Sequence, residues 1–263
     1  MTVYSFSLSH AAADILWEDL RLGSRPYPFD FPYFGQTDDE RRSIRNAVYN
    51  ELGNRGLARR GRVVGEIEEA LTLLVRFEFG VNAIAMFDPD RDVQLLARGG
   101  AAGEQAALAV LDDRMMKVDL IRAPQLIRSV VDLVPNERPG PGQSLSIPRP
   151  VKEQPKRGRE EDYQASSYLS SVRTQSPAES QTRALEAISE RPRLRVGQFG
   201  VVARKRDGRE LRAPQVAWFD TDQGRYLTQK RKGSDGQDWL VQAPADNARI
   251  AAQLAGELNT LMA

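Results

Sequence analysis

The spacing of apolar residues changes period several times along the chain, and each change marks an element. Val3 to Leu8 alternates apolar and polar positions as a half-buried strand does, and Ser9 then offers a side-chain oxygen to cap a helix starting at His10. Within that helix Ala12, Ile15, Leu16 and Leu20 share a face, with Trp17 beside it, and Gly23 can end it after Leu22. Three prolines then hold the segment Pro26-Tyr27-Pro28-Phe29-Asp30-Phe31-Pro32 extended. A capping box of Thr37 and Glu40 opens a second helix carrying Ile44, Ala47, Val48 and Leu52. Val63, Val64, Ile67, Ala70, Leu71 and Leu74 predict a third, strongly amphipathic helix.

From Phe79 the period shortens to two. Val81 to Phe87, Val93 to Arg98, Gln105 to Leu111 and Met116 to Arg122 predict an antiparallel meander, with turns at Asp88-Pro89-Asp90, at glycines 99, 100 and 103, and at Asp112-Asp113-Arg114. A helix follows Pro124, with Ile127, Val130, Val131 and Val134 on one face, and stops at Pro135. After a break from Asn136 to Gly142, Ser144 to Pro148 predicts one strand. The polar stretch 149–176 offers little apolar surface to offset its ordering entropy and is expected to be loop or disordered. Ser176-Pro177-Ala178-Glu179 signals a helix start, with an end near Glu190. A second meander then runs through Leu194 to Ala203, Arg212 to Phe219, Arg225 to Lys230 and Trp239 to Gln242, with turns at Arg206–Arg209, Asp220–Gly224 and Gly233–Gly236. Ala243-Pro244 is read as opening a last helix that aligns Ile250, Leu254, Leu258 and Leu261.

The two meanders share more than their order. Phe79-Gly80-Val81 and Phe199-Gly200-Val201 each begin one, Ala123-Pro124 and Ala243-Pro244 each lie between the last strand and the last helix, and both pairs are 120 residues apart. This predicts an internal duplication, with residues 1–135 as the first α+β repeat, 136–176 as linker and polar loop with one strand, and 177–263 as the rest of the second repeat. A four-stranded meander with helices on one face leaves an edge or face open, which a second copy about a rough two-fold can cover. The expected fold class is therefore α+β: two quasi-two-fold related halves packed as one domain, sharing a single sheet with helical bundles at its ends.

Composition narrows the chemistry. The chain of 263 residues has 41% hydrophobic residues, no cysteine and a single histidine, His10. Disulfides, thiolate nucleophiles, Cys-based zinc sites and two-histidine metal sites are excluded, and with His10 as the one histidine no histidine-based triad is expected. No apolar run is long enough to span a membrane and the N-terminus lacks signal-peptide features, so a cytosolic location without membrane insertion is expected. The acidic groups Asp38-Asp39-Glu40 and Glu66/Glu68/Glu69 lie near helix N-termini, where carboxylates suit the macrodipole. Asp88/Asp90/Asp92 has the alternating spacing of a calcium loop but lacks its glycine and terminal glutamate. Gly99-Gly100-Ala101-Ala102-Gly103 has no Gly-Lys-Ser/Thr and is read as a hairpin loop. The expectation is no catalytic activity, no metal and no cofactor.

Charge is uneven. Residues 1–135 carry 16 basic and 20 acidic side chains and residues 136–263 carry 21 and 16, so the first half leans acidic and the second basic. Arg204-Lys205-Arg206, Arg209, Arg212 and Lys230-Arg231-Lys232 are the sharpest basic groups, and they keep a nucleic-acid-binding or general adaptor protein as the alternative function. Trp218, Phe219, Tyr226 and Trp239 read either as core or as an aromatic contact surface.

Leu16-Trp17-Glu18-Asp19-Leu20 with its Pro-rich sequel, the Thr37-Asp38-Asp39-Glu40-Arg41 helix start, Pro139-Gly140-Pro141-Gly142 leading to Ser144–Pro148, Trp218 to Leu227, and Ala243-Pro244-Ala245-Asp246 follow one another along nearly the whole chain. In this order they resemble the EspG family of type VII (ESX) secretion-associated proteins. The resemblance implies a central antiparallel sheet flanked by helical bundles, and a cytosolic chaperone that keeps a PE-PPE-like helical heterodimer soluble until export. It also implies a partner lying against the sheet and the C-terminal helices. The partner-binding candidates are accordingly Trp218, Arg225, Tyr226, Thr228, Gln229, Lys230, Arg231, Trp239 and Gln242, with Arg225, Lys230 and Arg231 expected to orient the partner through charge-assisted bonds. Nucleic acid is not the expected partner, and weak homodimerisation is left open. Binding is placed mainly in the second half.

Overall fold

A computed structural model of the protein describes residues 4–88, 91, 94–148, 183, 185–233 and 236–263. The first half runs β1 (Tyr4–Ser9), α1 (His10–Asp19), α2 (Asp38–Asn54), the small ribbon β2 (Ala58–Arg59) and β3 (Arg62–Val63), α3 (Gly65–Leu73), then β4 (Phe79–Met86), β5 (Gln94–Ala102), β6 (Gln105–Leu111), β7 (Met115–Arg122) and α4 (Leu126–Val131). The second half runs β8 (Leu145–Pro148), β9 (Arg195–Arg204), β10 (Glu210–Arg212), β11 (Val216–Thr221), β12 (Gly224–Lys232), β13 (Asp238–Pro244) and α5 (Asn247–Met262). The polar stretch 149–176, the helix start at Ser176–Glu179, and Asp90 and Asp92 of the acidic turn lie outside the described residues.

Local chemistry accounts for the helix starts. The Ser9 hydroxyl accepts from the Ala12 N–H at 3.2 Å, the Thr37 hydroxyl accepts from Glu40 N–H while Glu40 accepts from Thr37 N–H, each at 3.2 Å, and Asp246 accepts from Arg249 N–H at 2.7 Å. The α1 helix stops at Asp19 rather than Leu22. Arg21 turns left-handed at φ 52° and Leu22 N–H donates to the Trp17 carbonyl at 3.1 Å, so the chain closes the helix one turn earlier than Gly23 suggested.

Among the described residues eleven strands form one sheet, in the order β1-β7-β6-β5-β4-β9-β11-β12-β13-β8, with β10 paired to β9, and every strand pairing is antiparallel. The two meanders meet at β4 and β9, where Val81 faces Val201.

Alternation of side chains divides the core between the two faces. Ala107, Ala109 and Leu111 of β6 pack with α1, α2 and α3 on one face, whereas Ala106 and Leu108 point to the other. There α4 and α5 lie against Val81 and Ala83 of β4, Phe199 and Val201 of β9, and Trp218 of β11. Helix α5 buries Ile250, Leu254 and Leu258, three of the four positions aligned in the sequence.

Three expectations are corrected. The glycine doublet is not in a loop: Gly99 and Gly100 sit inside β5, and the turn is made at Gly103–Glu104. A Cβ on Gly100 would lie 2.0 Å from the Leu73 carbonyl oxygen, so α3 approaches the sheet too closely for any side chain there. The strand expected over Arg212–Phe219 is broken into β10 and β11 by Ala213–Gln215, where Pro214 has no N–H for the ladder. Ala243 and Pro244 end β13 instead of opening the last helix, which waits for the Asp246 cap. His10 has an ordinary role at the start of α1, its Nε2 lying 2.8 Å from the carbonyl oxygen of Asp112.

Candidate partner-binding surface

The nine candidate residues lie on β11, β12 and β13, and the pleat separates them. The ladder pairs Trp218 with Leu227, Val216 with Gln229 and Arg231 with Trp239, which places Trp218, Arg225, Gln229, Arg231 and Trp239 on the face covered by α5. Tyr226, Thr228, Lys230 and Gln242 point the opposite way. A single flat partner cannot touch both sets.

Burial removes five of them from direct contact within this chain. Trp218, Arg225, Tyr226, Gln229 and Gln242 are all buried. Arg225 is completely enclosed and fully engaged: its Nε and one terminal nitrogen donate to the two carboxylate oxygens of Asp220 at 2.6 and 2.9 Å, it donates to the Pro135 carbonyl at 2.9 Å, and it bonds the Asn247 side-chain oxygen. Asn247 in turn donates to the Val134 carbonyl at 3.0 Å. Arg225 therefore ties β11 and β12 to the end of α4 and the start of α5, and it cannot orient an external partner. Tyr226 is covered by the segment Pro139–Pro141, donating to the Pro141 carbonyl at 3.0 Å, and its ring stacks on Phe219 at 5.6 Å. Gln229 is taken up by the Pro214 carbonyl at 3.2 Å and by Glu257 of α5 at 2.9 Å. Lys230 and Arg231 are exposed, and Thr228 and Trp239 are half-buried.

A more continuous surface lies where the candidate set only grazes it. Facing away from α4 and α5, one row of cross-strand neighbours reads Ile84, Gln198, Ala217, Thr228, Gln242 and Leu145, and the next reads Met86, Val196, Phe219 and Tyr226. Ile84, Met86, Val196, Gln198, Ala217, Thr228, Leu240 and Ile147 keep partial exposure on this face. Helices α1–α3 cover it over β1, β5, β6 and β7, whereas over β9 to β13 the described residues leave it partly open, with Phe219, Tyr226, Gln242 and Leu145 buried. The alternation of β12 and β13 carries this signal, but the nine candidates draw on both parities.

At the inner border of this face the chain forms a cleft of about 510 Å³. One wall is the segment from Leu22 to Tyr27, the floor is Asn82, Ile84, Arg98, Gln198 and Gly200, and the other wall is Arg204, Glu210 and Arg212. The Tyr27 hydroxyl accepts from the Gln198 amide at 3.0 Å. A buried ion cluster, unforeseen because its members are far apart in sequence, anchors the first wall. One Asp14 oxygen pairs with Arg25 at 2.7 Å, the other pairs with Arg41 and accepts from Phe34 N–H at 2.9 Å, and Arg41 also pairs with Glu18. Burial alone would lower the Arg41 pKa, but the bonds to Asp14 and Glu18 outweigh it and raise the value.

Among the described residues no group of acidic or histidine side chains could hold a metal ion, and no helix is long and apolar enough to cross a membrane. Asp38, Asp39 and Glu40 lie in the first turn of α2, and Glu66 and Glu68 in that of α3, where they face helix N-termini.

Curated protein sequences give no match to this chain. Among solved structures, the Mycobacterium tuberculosis type VII secretion system chaperone EspG5, determined in complex with a PE25-PPE41 dimer, superposes with a TM-score of 0.68 at 11% identity, covering 98% of this chain and 97% of that one. The sequence model of the EspG family matches residues 9–256, nearly the whole chain, and the protein therefore belongs to the EspG family.

Proposed function

We propose that the protein is a cytosolic chaperone of type VII secretion that holds a helical PE-PPE-like heterodimer and keeps it soluble until export. The observation that carries this reading is chain-long membership of the EspG family, joined to a fold shared with a chaperone that was solved on such a dimer. The half-open sheet face over β9 to β13 supplies an apolar surface with a polar rim, the composition that partner sites favour. On this reading Ala217, Thr228, Lys230 and Leu240 meet the client, Arg231 and Trp239 lie at the rim, the buried Trp218 and Arg225 stiffen the sheet behind it, and the buried Tyr226 holds the Pro139–Pro141 segment at its edge. No catalytic step is assigned to the protein.

The two halves are read as descendants of one α+β unit, with 1–135 and 177–263 as the copies and 136–176 between them. Three features support this. The strand order is the same outward from the centre on either side, β4-β5-β6-β7-β1 against β9-β11-β12-β13-β8. The 120-residue offset relates Val81 to Val201, and these are also cross-strand partners, which puts a local two-fold between them. Both meanders lead into a helix on the same face, α4 and α5.

Co-expression of the full chain with PE–PPE pairs of its own organism, followed by size-exclusion chromatography, tests the function. A stable complex of the three chains is expected. Failure to retain any such pair, together with recovery of RNA whose binding falls steeply with salt, would replace this reading with the nucleic-acid alternative.

A further inference from the structure

The cleft between the Leu22–Tyr27 wall and β10 has an electrostatic imbalance that the chaperone reading does not use. Arg98 is only 6% exposed, yet its hydrogen bonds go to neutral acceptors: the Leu74 carbonyl at 2.7 Å, the Tyr27 carbonyl at 3.0 Å and the Asn82 side-chain oxygen at 2.9 Å. Among the described residues it has no ion-pair partner. Arg204, on the opposite wall, pairs with Glu210 at 2.8 Å through one terminal nitrogen, but its Nε is a buried donor with no acceptor among the described residues. Arg212 lies 3.6 Å from the other oxygen of Glu210 and is largely exposed. Glu210 is thus a single carboxylate among three guanidinium groups.

Burial with only a shared counter-charge is costly: desolvation first, then the neighbouring Arg204 and Arg212 charges, outweigh the attraction of Glu210 and pull the Arg98 pKa down to about 10. The ring of Phe77 lies beside both cations, its centroid 5.0 Å from the Arg98 guanidinium carbon and 4.6 Å from that of Arg204. Planar guanidinium groups held this way are suited to a planar anion with two oxygens, which would satisfy the idle Arg204 donor and neutralise Arg98. The volume of the cleft is within the range of small-ligand sites.

We infer that the cleft is a carboxylate-binding site, with Arg98 and Arg204 as its cations and Arg212 at its mouth. The carboxylate comes either from an acidic side chain of a polypeptide segment or from a free dicarboxylate of similar size. The chemistry of the cleft is independent of which secretion client the protein carries.

The test follows the arginine Nε–H resonances of the full chain by NMR during titration with three probes: N-acetyl-Asp-Glu-Asp-amide, its neutral counterpart N-acetyl-Asn-Gln-Asn-amide, and glutarate. An acidic probe is expected to move the Arg204 and Arg98 signals, while Arg225, saturated by Asp220, stays still. Response to the acidic peptide alone assigns the polypeptide source, and response to glutarate assigns the free dicarboxylate. Glu210→Gln, which removes the internal competitor, is expected to tighten binding about fivefold, and Arg212→Ala to weaken it about threefold as an exposed pair would. Arg98 itself is left intact, because its bonds to Leu74 and Tyr27 help hold the cleft wall. The inference is overturned if neither acidic probe moves Arg98 and Arg204 in the wild-type and Glu210→Gln proteins, or if the neutral peptide moves them equally.

Discussion

The guanidinium of Arg225 lies over the ring of Trp218, 4.4 Å from its centroid, and both side chains are almost fully enclosed. The contact joins the cationic network of Asp220, Asn247 and the Pro135 carbonyl to the aromatic packing of Phe199 and Trp218, whose rings stack at 6.5 Å. Two residues that read as a contact surface in the sequence are therefore the joint between the second meander, α4 and α5.

That joint should dominate the stability of the second half. Arg225→Met leaves the Asp220 carboxylate, 1% exposed, without its bidentate partner and with only the looser 3.4 Å pair to Arg195, and is expected to cost about 3 kcal/mol in urea unfolding. The double variant with Asp220→Leu should recover much of that loss, because no charge is then left buried. A double variant no more stable than Arg225→Met alone would place the effect in lost packing rather than in the orphaned charge.

Glycine gives a sharper contrast within the sheet. Gly100→Ala drives a Cβ toward the Leu73 carbonyl and is expected to destabilise by about 2 kcal/mol or more, since backbone on both sides must move. Gly200→Ala, in β9 on the same side of the sheet, meets nothing within 4 Å and should be neutral or slightly stabilising, within about 1 kcal/mol. Thermal midpoints of the two variants, measured side by side, check the pair.

These two sites also show what the sequence could and could not convey. The apolar spacing at Ile250, Leu254 and Leu258, the capping box at Thr37 and the period of two through both meanders act locally, so α5, α2 and most strands are legible in the sequence alone. Gly99 and Gly100 look like a turn because doublets of glycine usually are; their cause is Leu126 on one face and Leu73 on the other, contributed by remote helices. Arg225 looks available because its acceptors, Asn247 and Pro135, are brought to it only by the fold. Arg98 carries no signal within its strand for the same reason, and the cleft around it is equally silent in the sequence.

Acid should weaken the β6–β7 turn. One Asp112 carboxylate oxygen accepts from Arg114 N–H at 3.0 Å and from Met115 N–H at 2.8 Å, and the backbone bond to Arg114 leads the causes that hold its pKa below the ordinary aspartate value. A depressed folded-state pKa stabilises the protein above the unfolded-state value, and that contribution is lost as pH falls through the folded-state value. Asp112→Asn keeps an oxygen acceptor but no titrating group. Urea midpoints of the wild type are therefore expected to fall more between neutral pH and about pH 3 than those of the variant. The difference should be small, because the side chain is half exposed.

The division of β12 by parity bears directly on where a client docks. Ala217 and Thr228 face the open side with Leu240, whereas Arg231 and Trp239 share the α5 side, where Arg231 makes a loose 3.7 Å pair with Glu257 and donates to the Gln229 side-chain oxygen at 3.3 Å. If the client lies on the open side, Ala217→Arg puts a desolvated charge in the middle of the contact and should weaken capture of a PE–PPE pair by about tenfold or more. Because Ala217 retains solvent contact in the free chain, the melting temperature should change little. Arg231→Ala removes a rim charge and should alter affinity by about threefold at most. Interferometry on the immobilised protein separates the alternatives: loss of binding on Arg231→Ala with retention on Ala217→Arg would move the docking surface to the α5 side, and the half-buried Trp239 would become part of the contact after all.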